Sequence, residues 1–302
     1  MTSFMLTSTT SSKIDNQLTL LRHQMGAPAI GMVLTLVVVA EESHQYDAVR
    51  AATEAAREHP SRILVVIPRD PDDAARLDAE IRIGESTPGE VVLLRLYGEL
   101  TRHADSVVSP LLLPDTPVVA WWPGTSPAVP ADDSIGALAQ RRITDARADP
   151  YPVRAITSRA QGYVPGDTDL AWTRLTPWRS LLAAAFDQPV GKVTGGVVEG
   201  AAGNPSVPLI AAWLSERLDA PVLVGDSPGP GLTSVRLTLA DGGEIEVKRG
   251  DARLATLTLP GQPIRHVALA RRPNSDLLAE ELRRLDPDDM YADAINWLAR
   301  VS

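Results

Sequence analysis

The stretch "GMVLTLVVVAEESHQYDAVRAATEAAREHPSRILVVIP", residues 31–68, decides the fold of this chain. Apolar, β-branched runs at 31–39 and 62–68 enclose a segment, 43–59, whose apolar residues recur at helical spacing. Continuous apolar strands joined through a helix are typical of a parallel sheet covered on both faces. The stretch therefore predicts a β-α-β unit.

The rest of the first half extends this pattern. We predict a helix at 133–146 and strands at 76–83, 90–98 and 116–124. The Ser/Thr-rich start, residues 1–26, shows little periodicity and is expected to form an N-terminal arm. Prolines and glycines concentrate between Ala148 and Asp169, which indicates a domain junction there. The expected domains are therefore 27–160 and 161–302.

The second half also alternates strands with helices. Its clearest element is "SVRLTLADGGEIEVKR", residues 234–249, in which Asp241 and Gly242 supply the turn of a β-hairpin. Further strands are predicted at 190–199, 221–225 and 254–259, and helices at 177–187, 204–219, 275–285 and 287–301. The predicted fold class is α/β with two α/β domains. The first has a largely parallel sheet flanked by helices, and the second is mixed, with a β-hairpin and C-terminal helices.

Composition and charge exclude several classes of function. The chain has 38 acidic and 29 Lys/Arg side chains, a net charge of −9, which disfavours nucleic acid as a partner. It has no cysteine, which excludes disulfides and thiolate chemistry and fits a cytoplasmic location. The longest apolar run, residues 27–40, is shorter than the ~20 residues needed to cross a bilayer, so no membrane partner is expected.

No motif in the sequence identifies a catalytic site. The five histidines are not paired at the i, i+3 or i, i+4 spacing of metal ligands, so no metal is expected. No G-x-S-x-G turn is present, and we predict no catalytic residue and no cofactor. Acidic pairs such as Asp288 and Asp289 are interpreted as helix caps.

A glycine-rich turn, "TGGVVEGAAGNPS" at 194–206, offers a candidate ligand site. It runs from a strand into a helix start, where free amides of the backbone bind phosphate. The candidate residues are Gly200, Gly203, Asn204 and Ser206. The glycine spacing matches neither dinucleotide-binding nor Walker patterns, so an ordinary strand-to-helix turn is the alternative.

Tryptophan is unusually frequent, with six among the thirteen aromatic residues of the chain, and its placement points to a partner surface. Trp121 and Trp122 are adjacent in a predicted strand, so their side chains point to opposite faces. Trp172 and Arg174 precede a helix that begins near Thr176, and Arg179 lies in its first turns. Trp and Arg are enriched where binding energy concentrates, so these residues are predicted to contact a partner. The alternative is a local Trp–Arg stack that only fastens the junction.

The chain resembles the OpcA family, the glucose-6-phosphate dehydrogenase assembly proteins of actinobacteria. The resemblance rests on "GMVLTLVVV", "SRILVVIPRD", "GEVVLLRLYGEL", "LLLPDTPVVAWWPG" and "DLAWTRLTPWRSLLAAAFD", and covers nearly everything after the start of the chain. It implies a two-domain, non-catalytic protein that binds glucose-6-phosphate dehydrogenase and promotes its active form. In that setting Trp121, Trp122 and Trp172 would be anchors, and Arg174 and Arg179 would donate charge-assisted hydrogen bonds.

Two other functions stay open at this point. One is a sugar-phosphate or nucleotide sensor, or an enzyme, that uses the turn at 194–206. The other is a scaffold that stabilises the dehydrogenase without changing its kinetics.

Overall fold

The computed structural model describes residues 2–25, 31–83, 89–188, 190–250 and 253–301. The strands are β1 (Thr2–Leu6), β2 (Leu34–Val39), β3 (Ser61–Pro68), β4 (Arg76–Ile83), β5 (Gly89–Tyr97), β6 (Val118–Trp121), β7 (Arg141–Thr144), β8 (Asp167–Asp169), β9 (Val193–Gly200), β10 (Val222–Asp226), β11 (Leu232–Leu239), β12 (Glu244–Arg249), β13 (Leu254–Thr258) and β14 (Arg265–Ala268). The α-helices are α1 (Ser11–Met25), α2 (Gln45–Ala55), α3 (Ala104–Val108), α4 (Pro152–Gln161), α5 (Leu170–Thr173), α6 (Thr176–Ala185), α7 (Ser206–Leu218), α8 (Asn274–Arg283) and α9 (Asp289–Val301).

The first sheet has the order β1-β4-β5-β3-β2-β6-β7-β8 among the described residues. Its centre, β5-β3-β2-β6-β7, is parallel throughout, whereas β4 pairs antiparallel with β5 and β1 antiparallel with β4. The chain builds outward from β2 to β3 and β5, then returns to the other side of β2 with β6 and β7. This is the doubly wound arrangement, in which the strand order reverses beside β2 and β6.

Residues 31–68 form the expected β-α-β unit as β2, α2 and β3. Leu36, Val38, Ile63 and Val65 are buried because the strands lie inside the sheet. Helix α2 directs a small-residue stripe, Ala48, Ala51, Ala52 and Ala55, toward the interior. The predicted fold class, two mixed α/β parts with the first sheet largely parallel, is confirmed.

The start of the chain is ordered in the structure, which differs from the arm expected at 1–26. Strand β1 pairs with β4, and α1 buries Ile14, Leu18 and Leu21 against the sheet. The apolar stripe of α1 is narrow and its polar face is broad, so the periodicity signal was weak. The expected boundary after residue 26 lies outside the described residues.

The helix predicted at 133–146 is wrong. Residues 136–138 form a short 3-10 turn, and Arg141–Thr144 form β7, which pairs in parallel with β6. An added Cβ at Gly136 would lie 1.7 Å from the carbonyl oxygen of Pro130. The turn is therefore held close against the preceding loop, and strand pairing overrides the helical spacing of the apolar residues.

The second sheet is mixed and has the order β10-β9-β11-β12-β13-β14 among the described residues. The predicted hairpin is β11 and β12, with Gly242 at φ +84° in its turn. Helices α6 and α7 pack on one face of this sheet. On that face Val198, Val235, Leu237, Ile245 and Val247 are buried.

The chain forms two compact units, each discontinuous in sequence. The first comprises Met1–Ala148, Gly166–Thr168 and Asn274–Pro287. The second comprises Asp149–Pro165, Asp169–Pro273 and Asp288–Ser302. A single boundary at 160/161, as expected from the sequence, does not describe this division, because α8 packs in the first unit and α9 in the second.

Candidate partner-binding site

Trp172 lies on the short helix α5 and is completely buried in the second unit. Its Nε1 donates to Asp288 Oδ2 at 2.8 Å, and its ring lies 5.8 Å, centroid to centroid, from that of Tyr291. Asp169 caps α5, accepting a hydrogen bond from the Ala171 amide at 2.8 Å. The indole is therefore part of the interior of this unit, with its polar atom satisfied.

Arg179 stacks on the same indole. Its Cζ lies 3.8 Å from the centroid of the Trp172 ring, which is a cation–π contact. Its Nη2 donates to Thr176 Oγ1 at 3.1 Å. This is the geometry of the Trp–Arg stack that the sequence left as the alternative to a partner surface. Arg174, at the C-terminal end of α5, is only half-buried.

Trp121 and Trp122 are also buried, with exposed fractions of 1% and 2%. Adjacent positions on a strand point to opposite faces, and both rings were predicted to contact a partner. In a doubly wound sheet both faces are covered, so both rings are enclosed. None of the three predicted tryptophan anchors is accessible on the surface of this conformation, and their contact with a partner stays untested.

The glycine-rich turn connects β9 to α7 and most of its candidate groups have internal partners. Asn204 Oδ1 accepts from the Ser206 amide at 3.1 Å, and the Ser206 hydroxyl donates to the Ala171 carbonyl at 2.8 Å. An added Cβ at Gly200 would lie 2.5 Å from a Val207 methyl carbon, so this glycine permits close packing of strand on helix. Gly203 has φ +74° and open space around it. These contacts are those of a strand-to-helix turn; a ligand role for it stays a prediction.

The side-chain partners that hold this region together were not predicted from the sequence. Arg159 Nη1 donates to Asp169 Oδ2 at 2.7 Å, and both side chains are buried. Asp288 Oδ1 accepts from the amides of Met290 and Tyr291 at 2.9 and 3.1 Å, which confirms its interpretation as a helix cap. The capping signal was readable in the sequence, whereas the bond from Asp288 to Trp172 was not.

The turn that follows β2 occupies the position where dinucleotide-binding domains hold their ligand. Such domains place glycines there, so that the backbone approaches a pyrophosphate at the helix N-terminus. This chain has Ala40, Glu41, Glu42, Ser43 and His44 instead, and both glutamates are exposed. Negative side chains at this position repel phosphate. Within the described residues, no group of three or more His, Asp or Glu side chains is placed to hold a metal ion.

The fold and these side chains define a two-unit α/β protein with a doubly wound sheet that lacks the glycine turn of dinucleotide-binding domains. Two family models match it, described as the N-terminal domain (residues 52–161) and the C-terminal domain (residues 165–295) of a glucose-6-phosphate dehydrogenase subunit. Together they cover most of the sequence, so the chain belongs to the OpcA family of glucose-6-phosphate dehydrogenase subunits.

Two curated relatives agree, and both carry the name putative OxPP cycle protein OpcA. The one from Synechocystis sp. is 28% identical over 192 residues, 58% of this chain and 40% of the relative. The one from Synechococcus elongatus is 30% identical over 214 residues, 66% of this chain and 44% of the relative. The chain thus matches less than half the length of these relatives.

Two solved structures show weak overall similarity to this chain. An oxidoreductase from Sinorhizobium meliloti superposes with a TM-score of 0.43 at 12% identity, over 87% of this chain and 86% of the other. A dehydrogenase from Clostridium difficile superposes with a TM-score of 0.46 at 8% identity, over 89% and 97%. No helix among the described residues is both long and apolar enough to cross a membrane.

Proposed function

We propose that this chain is a non-catalytic subunit that binds glucose-6-phosphate dehydrogenase and favours its active form. The observation that carries the proposal is the match of both halves of the chain to the two domains of one dehydrogenase subunit family. The acidic turn after β2 supports a non-catalytic role, because the sheet lacks the glycines with which such folds bind a dinucleotide.

The second unit offers a surface for this partner. The face of the second sheet opposite α6 and α7 carries half-buried and exposed side chains, including Val197, Arg236 and Glu246. At the edge of this sheet, β10 pairs with β9 alone among the described strands, and it exposes Leu223 and Val224 by 67% and 55%. Exposed apolar residues on an edge strand favour aggregation in a monomeric protein, and in native proteins they mark an interaction site.

We place the dehydrogenase on this face of the second sheet. Leu223 shares a row with Val197, Arg236 and Glu246 across the strands. An apolar edge strand therefore adjoins charged side chains on the same face, and protein interfaces combine apolar and polar groups. Arg236 Nη2 and Glu246 Oε1 are 3.5 Å apart and 45% and 24% exposed, so both side chains are accessible at this surface.

Activation requires that the chain bind the active form of the dehydrogenase more tightly than the inactive form. A coupling free energy of about 1 to 3 kcal/mol would change substrate affinity by roughly 5- to 150-fold. The reciprocal effect is that substrate strengthens binding of this chain by the same factor.

The test combines the mass of the complex with dehydrogenase kinetics. The chain and the dehydrogenase are mixed, the mass is measured by light scattering, and substrate is titrated with and without the chain. We expect a stable complex and a changed KM or kcat. A complex with unchanged kinetics would leave only the scaffold function, and absence of any complex would overturn the proposal.

Variants locate the surface in the same assay. Leu223→Glu should weaken binding at least tenfold, because it places a charge in the apolar edge. The matched control is Leu20→Glu, since Leu20 is 52% exposed on α1 in the first unit. Arg174→Ala tests the surface predicted from the sequence. If Arg174→Ala abolishes binding and Leu223→Glu does not, the partner lies at α5 and not on the second sheet.

A further inference from the structure

The first unit contains a pocket of about 480 Å³ between α2 and one face of β4 and β5. This volume lies in the range of small-molecule sites, about 300 to 1,000 Å³. Helix α2 contributes the stripe opposite its buried alanines, and the strands contribute the side chains opposite those that pack on α1. All lining residues of the pocket belong to the first unit, and none comes from the glycine-rich turn or the second sheet.

Four arginines line this pocket in a chain whose net charge is −9. They are Arg50 on α2, Arg57 just after its end, Arg82 on β4 and Arg95 on β5, and Glu54 is the one carboxylate in the lining. A guanidinium has five N–H donors, so a single contact leaves a fork free to bind an anion. Carboxylates lie beside three of the four arginines, so an anion would be held by the guanidinium donors that these pairs leave unused.

The internal partners of these arginines leave donors free. Arg50 Nη2 donates to Asp47 at 2.9 Å in an exposed i, i+3 pair, and Arg82 Nε donates to Glu80 Oε1 at 2.7 Å. The bond from Arg82 lowers the pKa of Glu80 below its ordinary value, so this carboxylate stays charged at neutral pH. The guanidinium of Arg57 has no hydrogen-bond or ion-pair partner among the described residues.

Arg95 is partly satisfied, since its Nη2 donates to Gln45 Oε1 at 3.5 Å. Its side chain is 19% exposed, and its Nη1 is buried without a hydrogen-bond partner in the described part of the chain. The nearest carboxylate oxygens, from Glu80 and Glu42, lie 3.9 Å from its nitrogens, beyond hydrogen-bond distance. A buried charged donor without an acceptor is costly, and such groups in native proteins are completed by a water or an ion.

The rest of the lining is apolar or aromatic. Val49 and Leu93 are buried beneath the pocket, and Tyr46 is 79% exposed at its rim. A bare inorganic anion would leave this surface uncovered. A ligand with a flat organic body would pack on Val49, Leu93 and the Tyr46 ring while its anionic group met the arginines.

We infer that this pocket binds a nucleoside monophosphate, with the phosphate at the arginines and the base over Val49, Leu93 and Tyr46. The phosphate is the group that guanidinium forks bind best, in a bidentate geometry. The base supplies the planar apolar surface that a hexose lacks. The inference goes beyond the proposed function and does not depend on the dehydrogenase.

The test is calorimetric titration of the full chain, without the dehydrogenase, by AMP, adenosine, inorganic phosphate and glucose 6-phosphate. We expect saturable binding of one AMP, at least tenfold tighter than each of the other three. Absence of saturable AMP binding at millimolar concentration overturns the inference. So does equal binding of adenosine, which would show that the arginines contribute nothing, or of phosphate, which would show that the organic body contributes nothing.

A matched pair of variants on one strand tests the location. Arg82 and Arg76 lie on the same face of β4 and each bonds a carboxylate, Arg82 with Glu80 and Arg76 with Asp78 at 3.1 Å, but only Arg82 lines the pocket. Arg82→Gln should weaken AMP binding at least tenfold, and Arg76→Gln should leave it within twofold. Equal losses of AMP affinity in both variants would mean that AMP binding depends on net charge alone, which would contradict the proposed site.

Arg57→Gln separates binding from folding. Arg57 is exposed near the end of α2, so its replacement should leave the thermal unfolding midpoint unchanged while weakening AMP binding. Unchanged affinity in a folded Arg57→Gln variant together with unchanged affinity in Arg82→Gln would exclude the pocket as the AMP site.

Discussion

Trp172 and Arg179 show how the role of a side chain depends on contacts that are distant in the sequence. The indole lies against Tyr291 and donates to Asp288, both from the C-terminal segment of the second unit. The guanidinium of Arg179 covers the ring at 3.8 Å. The enrichment of Trp and Arg at interfaces predicted a partner surface. In the structure, the Trp172 ring is buried and Arg179 stacks on it. Whether Trp172 packs internally or binds a partner depends on its contacts with Asp288 and Tyr291, which the local sequence does not show.

We predict that Trp172→Ala lowers the free energy of unfolding by about 3 to 5 kcal/mol, the usual cost of removing a buried aromatic side chain. Trp172→Phe keeps most of the buried area and should cost less, about 1 to 3 kcal/mol, from the lost hydrogen bond to Asp288. Urea unfolding followed by circular dichroism measures both values. A Trp172→Ala variant as stable as the parent chain would show that this ring is not part of the core.

At the scale of elements, α1 shows that weak periodicity does not mean disorder. The helix places Ile14, Leu18 and Leu21 on the sheet, and most of its other positions are polar, so its apolar stripe is narrow. Pairing of β1 with β4 covers an edge that would otherwise be open. The strands β2 to β5, by contrast, were predicted within a few residues. Their sequences are long apolar runs or alternate apolar with polar residues, and both patterns are typical of strands.

Leu18→Ala should lower the free energy of unfolding by about 2 to 5 kcal/mol, as for other buried leucines. Its control is Leu20→Ala on the same helix, where the side chain is 52% exposed and the change should stay within about 0.5 kcal/mol. Chemical unfolding monitored by tryptophan fluorescence compares the two. Equal stability of the two variants would mean that α1 does not pack on the sheet.

At the scale of the whole molecule, the chain does not divide at one point. Helix α8 packs on α2 in the first unit, and Glu281 from α8 accepts hydrogen bonds from Arg141 Nε and Nη2. Both side chains are buried, with exposed fractions of 4% for Arg141 and 7% for Glu281. The proline- and glycine-rich segment that marked the expected junction is only one of several crossings between the units.

We predict that Glu281→Ala lowers the free energy of unfolding by about 3 to 5 kcal/mol, because it leaves the buried guanidinium of Arg141 without its carboxylate. Glu58→Ala breaks the exposed pair with Arg283, whose side chains are 54% and 62% exposed, and its effect should be much smaller. Calorimetric unfolding of the full chain measures both. A Glu281→Ala variant that unfolds like Glu58→Ala would contradict the assignment of α8 to the first unit.

The sequence by itself determined the local elements of this protein and its family. The β-α-β unit at 31–68 and the hairpin at 234–249 follow from the alternation of apolar and polar residues over short distances, and this pattern needs no distant partner. The tertiary structure decided which tryptophans are enclosed, where α1 and α8 pack, and that four arginines from α2, the turn after it, β4 and β5 line one pocket. Each of these depends on side chains brought together from separate parts of the chain, and periodicity along a single segment carries no information about such pairs.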